Sequence, residues 1–164
     1  MSAVDNSRWL WLSVGVLVLD QLSKLYIATH MRLFEIIYVL PVFNIALLHN
    51  TGAAFSVLAG AAGWIRWFFI ALALGIVVAI AIWLIRASAA ASRWMTVGLA
   101  LVAGGALGNA MDRLTHGYVV DFLQFHYQGW FFPAFNVADS AITVGAALLI
   151  IDGMFLQRRD KSVK

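Results

Sequence analysis

WIRWFFIALALGIVVAIAIWLI, residues 64–85, is the stretch that decides the fold class. It carries no charge after Arg66, and its length suits the roughly 20 apolar residues needed to cross the hydrocarbon of a bilayer. Three further segments have the same character. Residues 9–28 hold Asp20 and Lys24 inside an apolar run, residues 94–111 are uncharged, and residues 137–156 carry Asp139 and Asp152 near their two ends. Trp9, Trp11, Trp64, Trp67, Trp83 and Trp94 fall at the expected span ends, where indole rings favour the interface. The chain therefore reads as an all-α membrane protein, a single integral domain over residues 1–164 built on a bundle of four transmembrane helices.

Composition points the same way. Hydrophobic residues make up 63% of the chain and charged residues 12%, against about 45–50% and about 25% in an ordinary soluble domain. One small core cannot bury that excess, so lipid is the solvent for much of the surface. There is no cysteine, which removes disulfides, thiolate metal sites and cysteine nucleophiles. The net charge of +3 comes from the C-terminal tail and short loops, so it reflects membrane topology and implies no nucleic-acid partner.

Four spans place both termini on one side. With both inside, Arg8, Arg86, Arg93, Arg158, Arg159, Lys161 and Lys164 are cytoplasmic, while Arg32, Arg66 and Arg113 are outside. That bias follows the positive-inside rule and sends segments 31–63 and 113–136 outward. The run from Trp9 to Leu19 also has the length of a signal-peptide core, but Asp20 and Lys24 follow where small residues should precede a cleavage site. It is read as a retained helix. In the outward segments, Phe34 to Leu40 and Phe43 to Leu48 are rich in β-branched and aromatic residues and flank Pro41, which predicts two short strands of a small extracytoplasmic β-sheet. Asn50-Thr51-Gly52 is a turn signal. Residues 53–62 are apolar but too short to span, which predicts an interfacial helix.

Polar residues within the spans are the candidates for function, because a charge near hydrocarbon persists only where it is paired, wet or useful. Asp20 and Lys24 lie one helical turn apart and can pair, either to orient the helix or to take part in chemistry. Gly105, Gly108, Asn109 and Asp112 recur on one face of the third span, with Arg113 beside them as an expected counter-charge. Gly104 and Gly108 form a GxxxG pair that permits close helix approach. His30, His49, His116 and His126 lie in or beside the outward segments with no metal-ligand spacing. Ser23 beside Lys24 fails as a local nucleophile and base pair, since adjacent helical positions diverge. Asp121 and Asp139 both fall on the outward side. A first-turn carboxylate is favoured by the helix dipole, so capping explains Asp139 as well as catalysis does. Two carboxyls that approach closely share a proton and split their titrations, which suits acid/base work on water.

Five motifs occur in order: Asp20-Gln21-Leu22-Ser23-Lys24, Asn50-Thr51-Gly52-Ala53-Ala54-Phe55, Gly104 through Arg113 (GGALGNAMDR), Val119-Val120-Asp121-Phe122 and Phe135-Asn136-Val137-Ala138-Asp139-Ser140. Together they closely resemble bacterial lipoprotein signal peptidase (signal peptidase II, prolipoprotein signal peptidase), a family of aspartic membrane proteases. The resemblance spans the chain between its tails, and no motif position departs from the pattern. It implies an aspartic endopeptidase of the inner membrane that cuts diacylglyceryl-modified prolipoproteins before the lipid-modified lipobox cysteine. The implied catalytic pair falls on Asp121 and Asp139. Implied substrate-binding or supporting residues fall on Asp20, Lys24, Asn50, Asn109, Asp112, Arg113 and Asn136, with Gly105 on the same face. The resemblance further implies membrane lipid and prolipoprotein as partners and the cyclic peptide globomycin as an inhibitor. A neutral carboxylic acid and an ionised partner suffice for attack by water, so no metal or cofactor is expected, and one bundle can form a complete site, so a monomer is expected. The competing class is a small transporter or proton-pathway subunit, with Asp20, Lys24, Asn109 and Asp112 as its relay.

Overall fold

A computed structural model describes residues 6–52, 62–88 and 91–156. A 3-10 turn, Asn6–Trp9, leads into helix α1, Leu10–His30. Strands β1, Ile36–Leu40, and β2, Phe43–Asn50, follow, and then helices α2, Ala62–Arg86, and α3, Arg93–Thr115. Strands β3, Val119–Tyr127, and β4, Trp130–Phe131, precede α4, Val137–Ile151, which continues as a π turn, Asp152–Leu156. The stretches Asn6–His30, Gly63–Arg86, Arg93–Thr115 and Val137–Met154 are each long and apolar enough to cross a membrane. Each of the four segments expected from sequence to span forms such a helix. The expected interfacial helix over 53–62 lies outside the described residues except at Ala62, where α2 begins.

Helix α3 is the centre of the bundle and packs on α1, α2 and α4. Its small residues make this possible. A Cβ on Gly104 would sit 2.6 Å from the Ser13 carbonyl oxygen and 2.8 Å from Val16 Cβ, and one on Gly108 would run into the Asp20 carboxylate. The GxxxG pair thus marks the contact with α1, as its spacing suggests. Opposite, a Cβ on Gly105 would meet the Ala138 carbonyl in the first turn of α4. The outer faces of α1 and α2 are apolar and exposed, including Val18, Leu22, Leu25, Phe68, Leu72 and Val78. Water would tolerate such a surface poorly, and lipid removes the difficulty.

At one end of the bundle, four antiparallel strands form a sheet in the order β1-β2-β3-β4. The β1–β2 hairpin follows the sequence reading, with its turn at Pro41-Val42. Strand β3 goes beyond that reading. It pairs with β2 in a register that sets Leu48 opposite Asp121 and Asn50 opposite Val119. Gln128 and Gly129 both have positive φ (46° and 83°), the two-residue hairpin geometry whose twist suits flanking strands. A cluster of Ile27, Met31, Leu47, Val120 and Phe122 clamps the sheet to the end of α1. The Phe135 carbonyl accepts from the Phe122 and Leu123 N–H groups at 3.0 and 2.8 Å, tying the approach to α4 alongside β3.

Candidate active site

Asn136 caps α4 and organises the site. Its side-chain oxygen accepts from Asp139 N–H at 2.9 Å, and Asp139 Oδ2 accepts from Asn136 N–H at 3.3 Å, a reciprocal capping box. With its oxygen thus engaged, the Asn136 amide nitrogen faces inward. It donates to Asp121 Oδ1 at 2.7 Å and lies 3.2 Å from the Val120 carbonyl and 3.3 Å from Asn109 Oδ1. One fully buried side chain therefore joins the helix that carries Asp139 to the strand that carries Asp121. The capping role and proximity to Asp121 coexist at Asp139.

Each carboxylate has a second amide donor. Asn50 Nδ2 donates to Asp121 Oδ2 at 2.9 Å, and its own oxygen is fixed by Gly52 N–H at 2.9 Å. The turn needs glycine there, since Gly52 has φ +84°. Asn109 Nδ2 donates to Asp139 Oδ1 at 2.7 Å. Asp121 is almost wholly buried, with 3% of its surface exposed. Burial pushes its carboxyl up to about 6; the Asn50 donor opposes this, the charge of Asp139 adds to it and the Asn136 donor opposes it.

Behind this pair lies a buried ionic cluster. Lys24 Nζ is 2.8 Å from Asp20 and 3.0 Å from Asp112, and all three side chains are at most 3% exposed. The Lys24 ammonium also donates to Asn109 Oδ1 at 3.1 Å. The two acids reach the backbone on either side of the site. Asp20 Oδ1 accepts from Ala138 N–H at 2.8 Å, one residue before Asp139, and Asp112 Oδ2 accepts from Val120 N–H at 3.0 Å, one residue before Asp121. Gln21 Nε2, at 2.9 Å from Asp112 and 3.2 Å from Asp20, bridges them.

This refines one expectation. The ion pair of Asp112 is made by Lys24, because α1 lies against α3 and brings the ammonium into the bundle, while Arg113 acts on Asp139, Asp121 and Asp112 only through its charge. Arg113 sits over the Phe69 ring at 4.9 Å and donates to the Asn109 backbone carbonyl at 3.2 Å. Gly105 brings no polar group; it lets α4 approach. Every other polar residue singled out from the motifs joins one network. Sequence reasoning missed Gln21, though it lies inside the first motif, and the backbone donors of Val120 and Ala138, which no side-chain pattern reveals. Ser23 and Ser140 donate to the carbonyls of Asp20 and Asn136, so neither is paired with Lys24 as a nucleophile. Among the described residues no group of three or more His, Asp or Glu gathers to hold a metal ion.

Three concavities among the described residues touch the network, one of them, of about 270 Å³, lined by Gln21, Lys24 and Asp112. A cavity of about 340 Å³ is lined by Asp121, Asn50, His49, Phe34 and Pro133, at the sheet. A groove of about 230 Å³ between α2, α3 and α4 is lined by Leu72, Ile76, Ala106, Asn109, Arg113 and Ile142. Asp121 lines the cavity, and Asn109, which donates to Asp139, lines the groove.

The family described as Signal peptidase (SPase) II matches residues 12–155. The chain belongs to the signal peptidase II family. A lipoprotein signal peptidase of Yersinia enterocolitica is 47% identical over 155 residues, covering 94% of this chain and 90% of the relative. One from Alteromonas mediterranea is 50% identical over 155 residues, covering 94% and 84%. A solved structure described as a bacterial membrane enzyme, determined by the in meso method at 1.9 Å resolution, superposes with a TM-score of 0.78 at 35% identity, covering 90% of this chain and 93% of that one. With its four spans, this member of the signal peptidase II family is a multi-pass membrane protein.

Proposed function

We propose that the protein removes the signal peptide from diacylglyceryl-modified prolipoproteins, cutting before the lipid-modified cysteine, with Asp121 and Asp139 as its catalytic pair. The observation that carries this reading is Asn136, whose side-chain amide donates to the Asp121 carboxylate and whose backbone N–H donates to that of Asp139, in a chain of the signal peptidase II family. Asp121, pushed up to about 6, holds the shared proton. Asp139 accepts hydrogen bonds from the Asn109 side chain and the Asn136 backbone N–H. Water lying between them loses a proton to Asp139 as it attacks the scissile carbonyl. Asp121 protonates the carbonyl oxygen, and the pair then returns a proton to the leaving amine as the C–N bond breaks. Arg113 and Asn109, at the head of the apolar groove, orient the substrate backbone, and the groove beds its acyl chains. Asp20, Lys24 and Asp112 hold the frame.

The basic residues at the opposite end of the bundle from the sheet support cytoplasmic termini in the bacterial inner membrane. The pair then works near the outer face, where a signal peptide ends. The bundle holds both carboxylates in one chain, so a monomer suffices, and a cyclic peptide such as globomycin would compete for the same cleft. The decisive experiment uses purified protein with a diacylglyceryl-modified prolipoprotein and its unmodified counterpart. Release of a product beginning at the lipid-modified cysteine, from the modified substrate alone, is expected. Cleavage at another bond, or equal cleavage of the unmodified chain, would overturn the reading.

A further inference from the structure

Phe34 has the wrong residue type for its backbone. It occupies the third position of a turn from Arg32 to Glu35, closed by Glu35 N–H donating to the Arg32 carbonyl at 2.9 Å and by Arg32 N–H donating to Glu35 Oε2 at 2.7 Å. Its φ is +68°, while Leu33 before it does not share the positive value. That is the pattern of a type II turn, whose third position favours Gly or Asn, and a bulky residue there is a true outlier. The other non-glycine residue with positive φ among the described residues, Gln128, has the tight β3–β4 hairpin to explain it. Phe34 has no such need. Nor does packing compensate, for the residue is 72% exposed. Its backbone is nonetheless well anchored, with Phe34 N–H donating to the Leu47 carbonyl at 2.8 Å. What the residue does have is a place on the wall of the cavity that contains Asp121, with Pro133 and Ala134 also on the lining.

We propose that Phe34 is a specificity-determining residue, whose ring receives the side chains of the first residues after the lipid-modified cysteine. The inference rests on the signal peptidase reading and deepens it. The signal peptide reaches the pair from the membrane, and the lipid stays in the bilayer. The chain that continues past the cut must therefore leave on the sheet side, through the cavity that Phe34 lines. Strain held at a ligand-facing residue is a known use of such backbone. An exposed ring next to Pro133 suits an apolar or small side chain.

The test compares the parent protein with Phe34→Asn and Phe34→Tyr on two lipopeptides. Both carry a diacylglyceryl cysteine; one ends at that cysteine as an amide, and the other continues for several residues beginning with an apolar one. Asn accepts the left-handed backbone, so Phe34→Asn should unfold at the parent temperature or above it. On the long peptide its kcat/KM should fall about tenfold or more, the scale of a lost apolar contact in a substrate pocket. On the short peptide it should match the parent, and Phe34→Tyr should behave as parent on both. Equal loss on both peptides would make the ring a membrane anchor, no loss on either would make it idle, and a lower unfolding temperature would make it structural; each overturns the proposal. A parent protein that cleaves neither peptide overturns the peptidase reading itself, and this inference with it.

Discussion

Lys24 Nζ donates to the side-chain oxygen of Asn109 at 3.1 Å, and this contact decides which way the Asn109 amide points. An ammonium has only donors, so the oxygen must face Lys24 and the NH₂ must face Asp139, which it meets at 2.7 Å. A charge buried between α1 and α3 thereby sets the hydrogen bonding of a carboxylate on α4.

Asn109→Ala should therefore depress turnover with little loss of fold. A hydrogen bond to a charged group contributes about 1.5–3 kcal/mol, so kcat should drop about 10- to 100-fold if the bond matters in the transition state. Steady-state kinetics on a lipid-modified substrate check this. A change confined to KM would show that Asn109 only binds substrate.

Lys24 itself should matter more to stability than its distance from Asp121 suggests. Lys24→Met leaves Asp20 and Asp112 buried without their shared cation, and breaking a buried pair in this way costs about 3–5 kcal/mol. Adding Asp112→Asn to the same chain should recover part of the loss, since one orphaned charge is removed. Thermal unfolding in detergent reads both effects. Additive losses in the double variant would contradict the coupling.

What the sequence revealed follows from the range of each interaction. The spans were legible because hydropathy is local, and so was the β1–β2 hairpin, with β-branched runs on either side of Pro41. Strand β3 was not. Val119, Val120, Asp121 and Phe122 are all buried, so a central strand covered on both faces shows no alternation and reads merely as a hydrophobic run. The ion-pair partner of Asp112 was not legible for a related reason. Arg113 is adjacent in sequence, whereas Lys24 arrives from another helix through packing that Gly104 and Gly108 permit. The candidate carboxylates were legible as motif residues, but their link through Asn136 depends on cap geometry that only coordinates reveal.

Gly105 should act on the site through helix spacing alone. A Cβ there would press on the Ala138 carbonyl, immediately before Asp139. Overpacking of this kind costs about 1–3 kcal/mol, so Gly105→Ala should lower the unfolding temperature and also reduce kcat by displacing Asp139 from Asn109. Gly63→Ala, at a glycine with open space around its Cβ position, is the control and should be silent. Full activity in Gly105→Ala would show that α4 can shift without disturbing the pair.

The sign of the pH dependence follows from Asp121. Its carboxyl lies near 6 in the folded protein against an ordinary 3.8, so the folded state binds the proton more tightly than the unfolded chain. This contribution to stability is fully present below about 4 and is lost as pH rises through about 6. Asp121→Asn should thus be more stable than the parent near neutral pH, by as much as roughly 3 kcal/mol at 1.36 kcal/mol per unit, and lose that advantage in acid. Activity should follow the same group, with kcat/KM of the parent falling as pH rises through about 6, where the shared proton leaves. Asp121→Asn and Asp139→Asn should each abolish cleavage while remaining folded. Unfolding curves at pH 4 and 7.5, together with a pH–rate profile, measure all three. A parent profile flat across pH 5–8, or near-normal turnover in either variant, would remove Asp121 and Asp139 from the chemistry.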